Sequence, residues 1–189
     1  MLVILWAAGT VYAFWWFEFK NLRPFDTNSS GEVIKTPVTE LEQTLLKLTE
    51  NEPGRIRVFH FWNPDCYCNR FNTQHLEQIR QQYKPQGIDF YLVVSERHKA
   101  DTKQIRKIFG DISILETEGM SDLVPSTPSA AILKLDHGLT YFGPYSEGAM
   151  CSAQSGSFVE KTLDATLTGT PNVQVNSLAF GCYCDLQPI

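Results

Sequence analysis

The chain opens on sixteen residues without a charge, LVILWAAGTVYAFWWF (Leu2–Phe17). As a helix they would run about 24 Å, against about 30 Å of bilayer hydrocarbon. Phe19, beyond Glu18, brings the stretch close to spanning, and Trp15-Trp16-Phe17 suits a membrane–water interface. The pattern then turns polar over residues 20–37, where DTNSSG (Asp26–Gly31) has the composition of a solvated loop. From residue 38 apolar positions return with regular periods. Leu41, Leu45, Leu46 and Leu48 make one helical face behind a Thr39 cap. RIRVFHFW (Arg55–Trp62) is a short apolar and aromatic run, expected as a buried strand.

Phe71, Leu76, Ile79 and Tyr83 recur at helical spacing until Pro85 and Gly87 end the helix. IDFYLVVS (Ile88–Ser95) predicts a second buried strand, and residues 101–110, with Ile105, Ile108 and Phe109, a shorter helix. SAAILKL and LTYFGPY predict a hairpin across Asp136-His137-Gly138. SGSFVEKTLDATL is the last helix, capped by Ser155 or Ser157. The order α-β-α-β-α-β-β-α implies an α/β domain over 38–169. Its β-α-β half is parallel, its second half is an antiparallel hairpin plus helix, and helices cover both faces of a mixed sheet. Residues 1–19 are expected as a transmembrane anchor or signal segment, 20–37 as a linker and 170–189 as a tail. Val173, Val175, Leu178 and Phe180 are the tail residues expected to lie against the body.

A cleaved signal peptide and a buried soluble helix are the rival readings of the first segment. The former lacks a basic n-region and a small-x-small cleavage site. Lys20 and Arg23, following the span, favour a cytoplasmic domain if counted alone. Cysteine chemistry favours the exported side, because disulfides persist in oxidising compartments. Net charge is −5 with scattered Lys and Arg, which excludes a nucleic-acid footprint. A hydrophobic content of 43% is that of a globular chain. A body of this size buries roughly 68–70% of its unfolded surface, so it needs no disulfide to fold.

Five cysteines therefore ask for a chemical reason. Four form two Cys-Tyr-Cys units, Cys66-Tyr67-Cys68 and Cys182-Tyr183-Cys184; Cys151 is the fifth. Cys66 follows the first strand and precedes a helix, whose N-terminal N–H groups and partial positive charge favour a thiolate. Asp65 opposes this unless it serves as an N-cap. Residues i and i+2 of a helix point to different sides. Cys66 and Cys68 therefore cannot bond within regular helix: either the unit lies in a turn before the helix, or its partners are elsewhere. An extended Thr170–Cys182 segment reaches up to about 45 Å, enough to return to the Cys66 face. Cys182 or Cys184 could then resolve Cys66/Cys68 or simply staple the terminus. Cys151 is either a buried free thiol or a partner for the tail. Two disulfides among five cysteines can be drawn in 15 ways.

Phe61-Trp62, a three-residue step and Cys66, together with Ser126-Thr127-Pro128-Ser129 before the third strand, resemble the thioredoxin superfamily. The chain looks like one of its poorly characterised, membrane-anchored bacterial branches. The resemblance implies a thioredoxin-like fold, a cis peptide at Thr127-Pro128 facing the reactive sulfur, and Cys66 as the attacking thiol with Cys68 as its partner. Thr127 and Pro128 would shape the docking of a substrate. The expected activity is membrane-tethered thiol–disulfide exchange on protein thiols or disulfides, with no cofactor. The chain departs from the family by its CxC spacing and by His60, which stands where thioredoxins carry a buried acid. His60 is either a satisfied strand histidine or a proton acceptor for the second thiol. Trp62 is expected to be core. Two alternatives stay open. One is a copper(I) or zinc module built on Cys66, Cys68, Cys182 and Cys184, with His75 and His137 as further ligand candidates. The other is a non-catalytic binding domain with structural disulfides.

Overall fold

The computed structural model describes residues 1–19, 22–49, 55–95, 102–134, 136, 138–146, 157–170, 174–176 and 178–186. Its centre is a six-stranded mixed sheet. Strands β2 (Ile56–Phe61), β3 (Ile88–Ser95) and β4 (Ser113–Thr117) run parallel, with Val58 opposite Phe90 and Val93 opposite Leu115. On the other side of β2, β5 (Ser129–Lys134) and β6 (Gly138–Gly143) form the expected antiparallel hairpin. β7 (Gln174–Val175) adds a parallel edge to β6. A separate two-stranded ribbon pairs β1 (Leu22–Pro24) with β8 (Phe180–Cys182).

Alternation along β2 divides the core. Val58 and Trp62 face α3 (Asn69–Tyr83), α4 (Thr102–Phe109) and α6 (Phe158–Leu167) through Leu76, Ile79, Ile105, Phe109, Val159 and Leu163. Phe59 and Phe61 face the opposite layer, where Leu41 and Leu45 of α2 (Val38–Leu48) pack with Met120 and Leu123 of the short α5 (Met120–Leu123). A period of two on the strand thus meets a helix on each side. α6 begins on Ser157, whose hydroxyl accepts the Glu160 N–H at 3.2 Å. α2 begins one residue before the expected Thr39 cap, and Pro37 in the cap position supplies no side-chain bond. At the β5–β6 turn Gly138 adopts φ +71°, and a Cβ there would meet the Glu42 carboxylate at 2.9 Å. That same carboxylate accepts the Leu139 N–H at 3.2 Å.

Three expectations need correction. The first helix, α1 (Leu2–Phe19), has 18 residues, about 27 Å at ~1.5 Å per residue. Among the described residues no helix is long and apolar enough to cross a membrane, so the expected transmembrane helix is not found. The uncharged run is too short, and Glu18 interrupts it before the helix ends. The expected linker is partly structural: its Phe25 is fully buried between Phe142 and Tyr183. In the tail, Val175, Leu178 and Phe180 are exposed, whereas Ala179, Tyr183 and Leu186 are buried. Val173 lies outside the described residues. The sequence reading also missed β1, β4, β7, β8 and α5, all of them short.

Candidate functional site

The four paired cysteines meet where β2 ends, before α3 begins. After Trp62 the chain turns. The Asn63 side chain accepts the Asp65 N–H at 2.9 Å, and the Cys66 N–H donates to the Asn63 carbonyl at 3.0 Å. α3 starts at Asn69, which makes Cys68, not Asp65, its N-cap residue. Cys66 thus sits in the turn ahead of the helix.

The tail comes back along the ribbon, with Leu22 opposite Cys182 and Arg23 opposite Gly181. Two disulfides join the Cys-Tyr-Cys units in antiparallel sense: Cys66–Cys184, with Cα atoms 5.8 Å apart, and Cys68–Cys182, at 5.6 Å. Each unit bonds to the other and neither bonds within itself. The bridges touch, since Cys184 Sγ lies 3.9 Å from Cys68 Sγ. Cys66 is 3% exposed, buried beneath the tail rather than presented as the accessible thiolate the sequence suggested.

Thr127 is the other half of the site. Its peptide bond to Pro128 is cis. Its N–H donates to the Cys184 carbonyl at 2.8 Å, and the Cys184 N–H donates to the Thr127 carbonyl at 2.9 Å. Cys66 Sγ lies 3.8 Å from that same Thr127 oxygen. The Thr127 hydroxyl donates to the Phe61 carbonyl at 2.8 Å, tying the segment to the end of β2. Cys66, Cys184 and Thr127 are therefore in direct mutual contact, although they are far apart in the chain.

A cleft of about 730 Å³ opens above the Cys66–Cys184 bond, lined among others by Arg23, Ser29, Asn63 and Asp185. Arg23 donates through Nη2 to Asp185 Oδ1 at 2.7 Å and through Nε to the Tyr183 carbonyl at 3.3 Å. The Ser29 N–H reaches Asp185 Oδ1 at 2.9 Å, and its hydroxyl donates to Oδ2 at 2.5 Å. Burial lowers the Arg23 pKa, against the pull of Asp185. Asn63 donates to the Asp185 carbonyl at 3.0 Å. The sequence reading missed Arg23, Ser29, Asn63 and Asp185. The one local signal was an acidic residue directly after a cysteine.

His60 belongs to a different layer. Its Nδ1 pairs with the Tyr145 hydroxyl at 2.9 Å, and its ring packs on Phe109 and Tyr145. Burial pushes its pKa down to about 3, partly offset by a backbone bond at Ser129. It is thus a neutral strand histidine. Trp62 is core, at 4% exposure. His75 is buried and lies 3.3 Å from Glu160. Cys151 and His137 lie outside the described residues. Among those described, the sulfurs of Cys66, Cys68 and Cys184 fall within 4.8 Å of one another.

A central β-α-β unit joined to an antiparallel hairpin, with a cysteine turn at the end of β2 facing a cis-proline segment, defines a thioredoxin-like protein. The chain belongs to the family described as Domain of unknown function (DUF6436), which matches residues 35–186. No curated protein matches it. An uncharacterized conserved protein from Geobacillus kaustophilus is similar at 18% identity and TM-score 0.53, over 88% of this chain and 89% of that one. A hypothetical protein from Sinorhizobium meliloti 1021 is similar at 15% identity and TM-score 0.52, over 87% and 90%. The thioredoxin domain of a thiol-disulfide oxidoreductase from Bacteroides vulgatus is more distant, at 18% identity and TM-score 0.40, over 46% and 67%.

Proposed function

We propose that this chain is a thiol–disulfide oxidoreductase whose exchanging bond is Cys66–Cys184. One observation carries the reading: that bond lies against Thr127, at the base of a cleft, with a second disulfide 3.9 Å away. A substrate dithiol gives up two electrons to Cys66–Cys184 and becomes a disulfide, leaving both cysteines as thiols. Cys184 thiolate then attacks Cys68 Sγ and releases Cys182 as a thiolate. Cys66 thiolate next attacks Cys184, which restores Cys66–Cys184 and leaves Cys68 and Cys182 reduced. The inner bridge thus serves as an electron reserve for the outer one. Thr127 and Pro128 form the docking face. The proposal includes an oxidising location such as a bacterial periplasm, consistent with two disulfides, and attachment to a lipid surface through the exposed apolar residues of α1.

The test is stoichiometric. The oxidised full chain, mixed with a reduced dithiol peptide, should convert two equivalents of peptide. A Cys68→Ala/Cys182→Ala chain should convert one, and a Cys66→Ala/Cys184→Ala chain should convert little. Equal conversion by all three, or none by the unaltered chain, would remove the proposal and leave a binding domain with a structural ladder. The sulfur cluster favours a second reading, in which the reduced chain holds copper(I) or zinc through Cys66, Cys68 and Cys184. Metal bound stoichiometrically by the anaerobically reduced protein, and lost on Cys68→Ala, would support it.

A further inference from the structure

We propose that the C-terminal tail occupies a peptide-binding site, and that the site accepts a partner segment in which a cysteine is followed by an acidic residue. This rests on the exchange reading of Cys66. The tail has the three contacts such a partner would make. Cys184 exchanges two backbone hydrogen bonds with Thr127 as an added strand would. Its sulfur is bonded to Cys66. The next side chain, Asp185, enters a carboxylate pocket made by Arg23 Nη2, the Ser29 N–H and the Ser29 hydroxyl. Both members of the ion pair are 12% exposed. Arg23 Nη1 is buried there without a hydrogen-bond partner among the described residues, so the pocket has a donor that Asp185 leaves unused.

Displacement balances without an added oxidant. A partner thiolate attacks Cys66 Sγ, a partner–Cys66 bond forms, the Cys66–Cys184 bond breaks, and Cys184 leaves with the electron pair as a thiolate. The partner strand takes over the N–H and C=O of Thr127 and sets its acidic side chain on Arg23 and Ser29. Selectivity comes from the charge-assisted hydrogen bonds of Arg23 and Ser29.

The test uses the full chain carrying Cys184→Ala and Asp185→Asn, which frees Cys66 and removes the tail's own carboxylate charge from the pocket while Cys68–Cys182 holds the tail. The probes are heptapeptides with the order of Phe180–Leu186, their first cysteine replaced by serine and the second activated as a mixed disulfide with thionitrobenzoate. One carries Asp after the cysteine, one Asn. Cys66 thiolate displaces the coloured thiolate, and intact mass locates the adduct. The Asp peptide should react about tenfold faster or more. The advantage should vanish when Arg23→Gln or Ser29→Ala is added, each peptide rate being divided by the rate of a small activated disulfide on the same variant. Equal rates for the Asp and Asn peptides overturn the pocket. No Cys66 adduct with any disulfide overturns the exchange reading instead. Should the double variant lose its near-ultraviolet circular dichroism, the unaltered oxidised chain is challenged with the same peptides as free thiols and acid-quenched. The Asp peptide must again give more Cys66 adduct, or the proposal fails.

Discussion

The two disulfides are not independent, and their stability contributions should show it. Consider Cys68→Ala/Cys182→Ala, Cys66→Ala/Cys184→Ala and the chain lacking all four sulfurs. Each bridge alone closes a long loop, with sequence separations of 118 and 114 residues. In the chain-entropy account a loop of this size is worth about 5 kcal/mol. Once one bridge is closed, however, the other closes only a ring through two Cys-Tyr-Cys units, worth about 2 kcal/mol by the same relation. Removing either pair should therefore cost about 2 kcal/mol, and removing both about 7 kcal/mol rather than 10. The larger figure consumes half or more of a typical domain's 5–15 kcal/mol. The contacts of Tyr183, Leu186 and the β1–β8 ribbon are common to all forms and do not alter the comparison. Urea unfolding followed by far-ultraviolet circular dichroism measures it, with m-values fitted separately because the cross-links change the unfolded chain. A loss above about 4 kcal/mol for either pair alone would refute the nested-loop reasoning. So would a total equal to the sum of the two pairs.

Other outcomes follow from single groups. His60 is neutral in the fold, with its pKa near 3. The unfolded chain, at about 6.5, binds the extra proton between these values. This contribution is fully present above pH 6.5 and is lost as pH falls towards 3, by about 2–3 kcal/mol at pH 4.5. The drop in urea midpoint from pH 7.5 to 4.5 should be smaller in His60→Gln than in the unaltered chain; equal drops would reject the assignment. Ser126→Ala removes a buried bond to the Phe25 carbonyl, 2.6 Å long. It should cost about 1–2 kcal/mol and speed amide exchange at Phe25, while β3 is unaffected. Leu45→Ala empties a fully buried site in the α2 layer and should cost about 2–5 kcal/mol by thermal or urea unfolding.

Much of the fold was legible because its strands and helices carry their own periods. The β2 and β3 runs are buried strands, and Leu76, Ile79 and Tyr83 of α3 are buried as their spacing selects. The Thr127-Pro128 step and the cysteine after β2 were legible as one site through their resemblance to a family. What escaped was whatever a distant partner specifies. β1 is three residues long, and only its pairing with β8 makes it a strand. Phe25 and Tyr183 are buried against each other across most of the chain, and nothing local marks either. The tail follows the same rule: the disulfides and Thr127, not its own apolar residues, set its register, so Tyr183 faces the core while Phe180 faces solvent.

The single-residue spacer follows from that register. In extended backbone, residues i and i+2 share a face and i+1 takes the other. Cys182 closes β8 and Cys184 is held extended by its bridge to Thr127, so the two sulfurs point one way and Tyr183 the opposite way, onto Phe25. A helical unit could not do this, and for that reason the CxC at Cys66 falls in a turn and α3 begins only after Cys68. A CxxC unit would put its second sulfur on the wrong side of an extended tail. The spacing that makes the chain a poor match to the thioredoxin pattern is therefore the spacing that a strand requires of a cysteine pair. It also sets which bridge borders the cleft: Cys66 and Cys184 line it, and Cys68 and Cys182 do not.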